Sequence, residues 1–284
     1  MLRSHFLAIA LTFALPLDVF AQAKPGEERS FEIADGVKMV FCWIPAGEAQ
    51  LGSPKSERAD VLKAIKEDKE PTWLASEAED VRGKFKTKGF WMAKYTVTQR
   101  EYESVVGSNP SWFAKGGTGK DKVEGIDTSR FPVERVSWDD CQAFLKKCKL
   151  KGLKLPHEDD WEYAYRGGKG NKQPFYWGDE LNGDKANCDG NYPFGTSTKG
   201  AYLERPTPVG SYASKAAHPW GLCDMSGNVW QWCDNWYDSE QKYRVLRGGS
   251  WSVNSGGCRA AYRNGGGPDP RDDDFGFRVC FRQD

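Results

Sequence analysis

The stretch Gly221–Tyr237, GLCDMSGNVWQWCDNWY, joins a glycine-containing turn to a dense aromatic run. The turn offers carbonyl oxygens, and Asp224 and Gln231 flank it with side-chain oxygens. Calcium takes about six to eight hard oxygens and accepts such mixed sets. Two readings share these residues: a calcium-holding turn, and a plain turn packed against an aromatic cluster. The residues alone favour the second.

The rest of the chain has the same character. It holds 12 Trp, 31 Gly and 15 Pro in 284 residues, which predicts an irregular fold with short elements and a core built around aromatic rings. Lys38–Pro45 (KMVFCWIP) and Phe90–Val97 (FWMAKYTV) read as strands. Thr98 caps a helix that runs to about Val105, ended by Gly107 and Pro110. Ser137–Cys148 is a second helix, with Ser137 as cap and Asp140 three residues on. A third opens at Pro156 and stops at Gly167-Gly168. Its first turn carries Glu158, Asp159 and Asp160, where the helix dipole favours acids, so a structural role is expected for them. Ser56–Asp80 is charge-rich and reads as a solvated surface insertion. Residues 24–36 read as a short linker, and 37–284 as one domain.

The first residues, MLRSHFLAIALTFALPLDVFAQA, have a basic start, a short apolar run and an A-x-A site. Residues 1–23 are expected to be a removed signal peptide, giving a secreted or periplasmic protein with no membrane span after its removal. Lys plus Arg and Asp plus Glu both number 40. That balance provides no field for nucleic acid or an anionic membrane. All eight cysteines follow the leader, so export makes disulfides expected. Cys141 and Cys148, roughly 10 Å apart along one helix, should not pair with each other; one of them is expected to meet Cys280.

Several chemistries are excluded. Beyond the leader the only histidines are His157 and His218, with no H-E-x-x-H or H-x3-H. G-x-S-x-G, a phosphate loop and CxxC are absent too.

Six segments in order resemble the formylglycine-generating-enzyme, or sulfatase-modifying-factor, family. They are Phe90–Phe113, PVERVSWDDCQAF (Pro132–Phe144), LKLPHEDDWEYAYRGG (Leu153–Gly168), Gly221–Tyr237, RVLRGGSW (Arg244–Trp251) and Arg259–Val279. The resemblance implies an α+β, C-type-lectin-like fold with little regular secondary structure. It also implies a calcium site from the Asp224 side chain, the Gly227 and Val229 carbonyls and the Gln231 side chain. Gln231 stands where the family usually has a carboxylate, so reduced affinity is expected. A second calcium site would use Asn187 and the Cys188 carbonyl, but its later carboxylate falls near Ala201, which cannot serve.

Catalytic relatives hold copper(I) between two cysteines just after the GGS[YW] motif and convert a sulfatase cysteine to formylglycine. Here those positions carry Val253 and Cys258. Copper(I) selects soft sulfur, Val253 has no lone pair, and copper is not expected. Cys258 reads as a buried thiol or disulfide partner, with a Cys258–Cys280 metal pair as the sharper alternative. Ser250 is a second catalytic candidate, although a tight turn with Trp251 in the core explains GGSW better. Three functions remain open. One is a recognition domain for a protein, peptide or glycan ligand, presented by Trp251, Asn254, Arg259, Tyr262, Arg263, Asn264 and Asp269. Another is an exported oxidoreductase similar to the copper-independent branch that matures siderophores such as pyoverdine. The last is a sulfatase-maturing oxidase with a different metal arrangement. The first is preferred.

Overall fold

The computed structural model describes residues 23–282. The expected leader lies outside them except for Ala23. Strands β1 (Glu28–Ala34), β2 (Val37–Ile44) and β3 (Gly47–Gln50) come first. Helices α1 (Lys55–Ile65), α2 (Thr72–Ala75) and α3 (Glu79–Arg82) follow, then β4 (Lys84–Thr87), β5 (Phe90–Ala93) and α4 (Gln99–Val106). Next come α5 (Trp138–Lys147) and α6 (Glu158–Arg166), and a long irregular stretch leads to β6 (Trp230–Trp236). The chain closes with β7 (Arg244–Arg247), β8 (Arg263–Gly266), β9 (Phe275–Phe277) and β10 (Cys280–Phe281).

One sheet has the order β1-β2-β5-β10 and is antiparallel throughout. A second has the order β8-β7-β6-β9, with β6 and β9 parallel. β3 and β4 form a separate ribbon. The expected linker thus carries β1: Ile33 is buried and Phe31 packs edge-on against Phe41 and Phe281, so the segment pays for its ordering with aromatic burial.

The helix caps follow the sequence. Thr98 and Ser137 each complete a capping box, with Glu101 and Asp140. His157 caps α6 through Nδ1, which accepts from the Asp159 N–H at 3.2 Å. Gly167 ends α6 in the left-handed region. Trp91, Trp161 and Trp232 are fully buried. The Trp232 indole donates to the Val136 carbonyl and the Trp161 indole to Gln231 Oε1, both at 2.9 Å. The core therefore takes the large apolar surface of Trp161 and Trp232 with both indole N–H groups satisfied.

Arginines hold the first-turn acids Glu158 and Asp160 of α6. Burial alone would raise the Glu158 carboxyl, but Arg263 and Arg82 outweigh it and hold the group at about 2.

The charge-rich segment is not a solvated insertion. Val61 and Leu74 are buried, and so are Glu57 and Glu77. Arg259 reaches Glu57 at 2.6 Å and Glu77 at 3.0 Å, which fastens this segment to the C-terminal third of the chain.

The disulfide expectation is also corrected. All eight cysteines are free and buried. Cys141 and Cys148 lie in a different part of the core from Cys280, so no bridge to Cys280 forms.

Candidate functional site

The segment after β7 builds the site. Gly249 has φ +73°, and a Cβ there would sit 2.6 Å from Cys258 Sγ. Glycine in the GGS turn therefore makes room for the Cys258 thiol. Gly227 does the same elsewhere: φ is +70°, and a Cβ would fall 2.2 Å from the Asn187 carbonyl oxygen. These two close approaches bring residues 187–189 beside 253–258. The Asp189 N–H then donates to the Val253 carbonyl at 2.8 Å.

Over this junction opens a groove of about 600 Å³. Val61 of α1 and Trp73 of α2 form one wall, and Tyr192 and Phe194 another. Val253, Asn254, Gly256 and Gly257 line it from the segment after the GGSW turn. Tyr262 sits between Trp73 and Trp230, with ring centroids 5.5 and 6.0 Å away, which makes a row of three rings. The lining residues include two cations, Lys199 and Arg259, but no Asp, Glu, His, Ser or Cys. Arg259 is already neutralised by Glu57 and Glu77. A larger hollow of about 1000 Å³ lies among the loops near Gln99, Lys120 and Asp127, and none of the candidate residues lines it.

The expected ligand-binding residues divide. Asn254, Arg259 and Tyr262 meet in the groove. Trp251 does not: its ring packs on Phe113 and Tyr202, and its indole donates to the Asp273 carbonyl. Arg263 is held by both oxygens of Glu158 at 2.6 and 2.8 Å. Ser250 is buried and donates to Asp274 Oδ2 at 2.7 Å, with no imidazole beside it to activate the hydroxyl. Sequence reasoning missed Val61, Trp73, Tyr192 and Phe194. A tryptophan inside the charge-rich segment was the one available signal.

Cys258 is fully buried beside the groove, and its neighbour is not Cys280. The Cys258 thiol donates a hydrogen bond to Cys188, which pushes Cys258 up and holds Cys188 below the ordinary thiol range. A second sulfur therefore does lie beside Cys258, one the spacing of the motif did not reveal. Both thiols are under the surface rather than in the groove.

The first calcium set does not fit the ion. Gln231 Oε1 accepts from the Trp161 indole at 2.9 Å and from Arg278 Nε at 3.0 Å, so both lone pairs are used. The Arg278 guanidinium also reaches the Asp224 carbonyl, and Asp224 Oδ2 takes the Gly210 N–H at 2.6 Å. Arg278 thus bridges the Asp224 carbonyl and the Gln231 oxygen, which leaves that oxygen no lone pair for an ion. At the second set, Asn187 Oδ1 is buried with no partner. That oxygen and the Cys188 carbonyl fall well short of the roughly six ligands calcium needs. Among the described residues no three His, Cys, Asp or Glu side chains converge on one point.

Residues 31–283 match the family described as "Sulfatase-modifying factor enzyme 1-like domain". The chain belongs to this family. It is 35% identical over 177 residues to the inactive C-alpha-formylglycine-generating enzyme 2 of Bos taurus, covering 60% of this chain and 55% of that protein. It is 35% identical over 172 residues to the formylglycine-generating enzyme of Streptomyces coelicolor, covering 52% of each. The chain thus spans about half the length of these curated relatives. Among solved structures, PvdO from Pseudomonas aeruginosa superposes with a TM-score of 0.65 at 21% identity, covering 92% of this chain and 99% of PvdO. Treponema denticola variable protein 1 matches with the same score and identity, over 90% of this chain and 99% of its own. These likenesses establish the fold of the formylglycine-generating-enzyme family, in α+β form with modest regular structure, as the motifs implied.

Proposed function

We propose that this family member is an exported recognition domain whose groove binds a protein, peptide or glycan ligand. One observation carries the reading: the groove beside Val253 is lined by a row of aromatic rings, with no carboxylate or imidazole among its lining residues. Such a surface can stack a flat apolar face, of a sugar ring or an aromatic or proline side chain. Peptide and glycan arrays test it. Binding is expected, and Trp73→Ala and Tyr262→Ala should each weaken it by about tenfold or more, the loss typical of an aromatic anchor. Silence on both arrays from folded protein contradicts the reading.

The Cys188–Cys258 contact favours a second reading, an oxidoreductase that uses this sulfur pair in place of the one lost at Val253. The pair would supply the soft ligands that copper(I) selects. Its burial, apart from the groove, argues against access by a substrate thiol.

A further inference from the structure

We propose that Cys188 and Cys258 are an oxidant-sensitive dithiol beneath the groove, which a small peroxide converts to a disulfide. The inference goes beyond ligand recognition and does not rest on it. Cys188 and Cys258 are two buried thiols of one apolar cluster, and each shifts the titration of the other. Several contacts fix the two sulfurs together. Ser255 Oγ lies 3.4 Å from Cys188 Sγ. Asp189 forms a bridge with Asn254, and Cys188 and Cys258 share one apolar cluster with Phe175 and Phe194. Gly249 is shaped around the Cys258 sulfur. These contacts place the two side chains in one buried cluster.

Access is limited and selective. Both side chains are almost fully buried. The groove surface next to Cys258 is Gly256–Gly257, which has no side chain to block a molecule the size of water. Hydrogen peroxide, only slightly larger, is the oxidant this burial hinders least.

The chemistry balances. One sulfur attacks a peroxide oxygen and the O–O bond breaks; the departing hydroxide takes the thiol proton and leaves as water. The sulfenic acid so formed is attacked by the second thiol. The S–S bond forms, the S–O bond breaks, and a second water departs. Two thiols are oxidised by two electrons, and one peroxide is reduced to two waters. The cross-link would tie residue 188 to the segment that contributes Asn254, Gly256, Gly257 and Arg259 to the groove.

The test is disulfide mapping of the full chain. Folded protein is exposed to a small excess of hydrogen peroxide, quenched, alkylated and digested without reductant. The expected result is loss of two titratable thiols of the eight and one linked peptide joining Cys188 to Cys258. Cys188→Val keeps an apolar side chain of similar size. It should give no linked peptide at Cys258. Eight free thiols after peroxide, or a linkage between any other two cysteines, overturns the proposal. The wild-type map decides the matter even where the variant fails to fold.

Discussion

Glu162→Ala is expected to lose on the order of 3–5 kcal/mol of unfolding free energy, the usual cost of stranding buried charge. The Glu162 carboxylate is fully buried. One oxygen takes Arg166 at 2.8 Å and the Gly52 N–H at 2.7 Å; the other takes Arg247 at 2.6 Å. Burial would raise this carboxyl, but Arg166 and Arg247 more than offset that and keep it below its ordinary value. Alanine leaves two guanidinium groups without a counter-charge in the interior. Arg247 also holds the carbonyls of Ala261 and Tyr262, so the damage spreads to the segment leading into β8 that carries the groove tyrosine. Set against a typical total stability of about 5–15 kcal/mol, that is a large share of the margin. Chemical denaturation measures the shift in midpoint. Lys86→Ala, which breaks the exposed pair with Glu48, serves as the control and should leave the midpoint in place. A midpoint equally unmoved by Glu162→Ala would mean the carboxylate is not the hub described.

Arg259→Met should have an effect of similar size, about 3–5 kcal/mol, and reach the site more directly. The guanidinium is the cation between Glu57 and Glu77, both buried, and each of these has one further oxygen with no partner. Burial already pushes Glu77 up, and Arg259 opposes that rise. Methionine keeps the chain length but leaves two carboxylates facing each other. They escape by protonation or by releasing α1 and α2, which removes Val61 and Trp73 from the groove wall. Ligand binding and stability should fall together, and limited proteolysis should open the 66–71 connection first. The triple change Glu57→Gln, Glu77→Gln, Arg259→Met should recover much of the stability, since no charge is then left buried. If Arg259→Met cleaves no faster than the parent, the segment is not held by this ion pair.

Much of the fold was legible because its signals are local. Thr98 with Glu101 and Ser137 with Asp140 announce helix starts through side chains three residues apart. Gly167 marks an end by a conformation that glycine adopts without strain. The ordered motifs gave the family. What stayed hidden depends on contacts across long separations. Glu57 and Glu77 look solvated in sequence, since nothing nearby shows that Arg259, about two hundred positions on, will bury them. Cys188 and Cys258 become neighbours through two tight glycine approaches, at Gly227 and Gly249. Gln231 does supply an oxygen, as its position suggests, but Trp161 and Arg278 claim it first. Phe31 and Ile33 could have marked β1, although a segment just past a leader reads as a linker until its partner strand is seen.

We propose that this family domain binds through its aromatic groove rather than carrying out the cysteine oxidation of its catalytic relatives. The most direct measurement is mass spectrometry of a CxPxR peptide incubated in air with the purified protein and copper(I). The account predicts that the peptide cysteine is recovered with its sulfur intact, at every copper concentration. Accumulation of the formylglycine aldehyde, dependent on the protein, would contradict it.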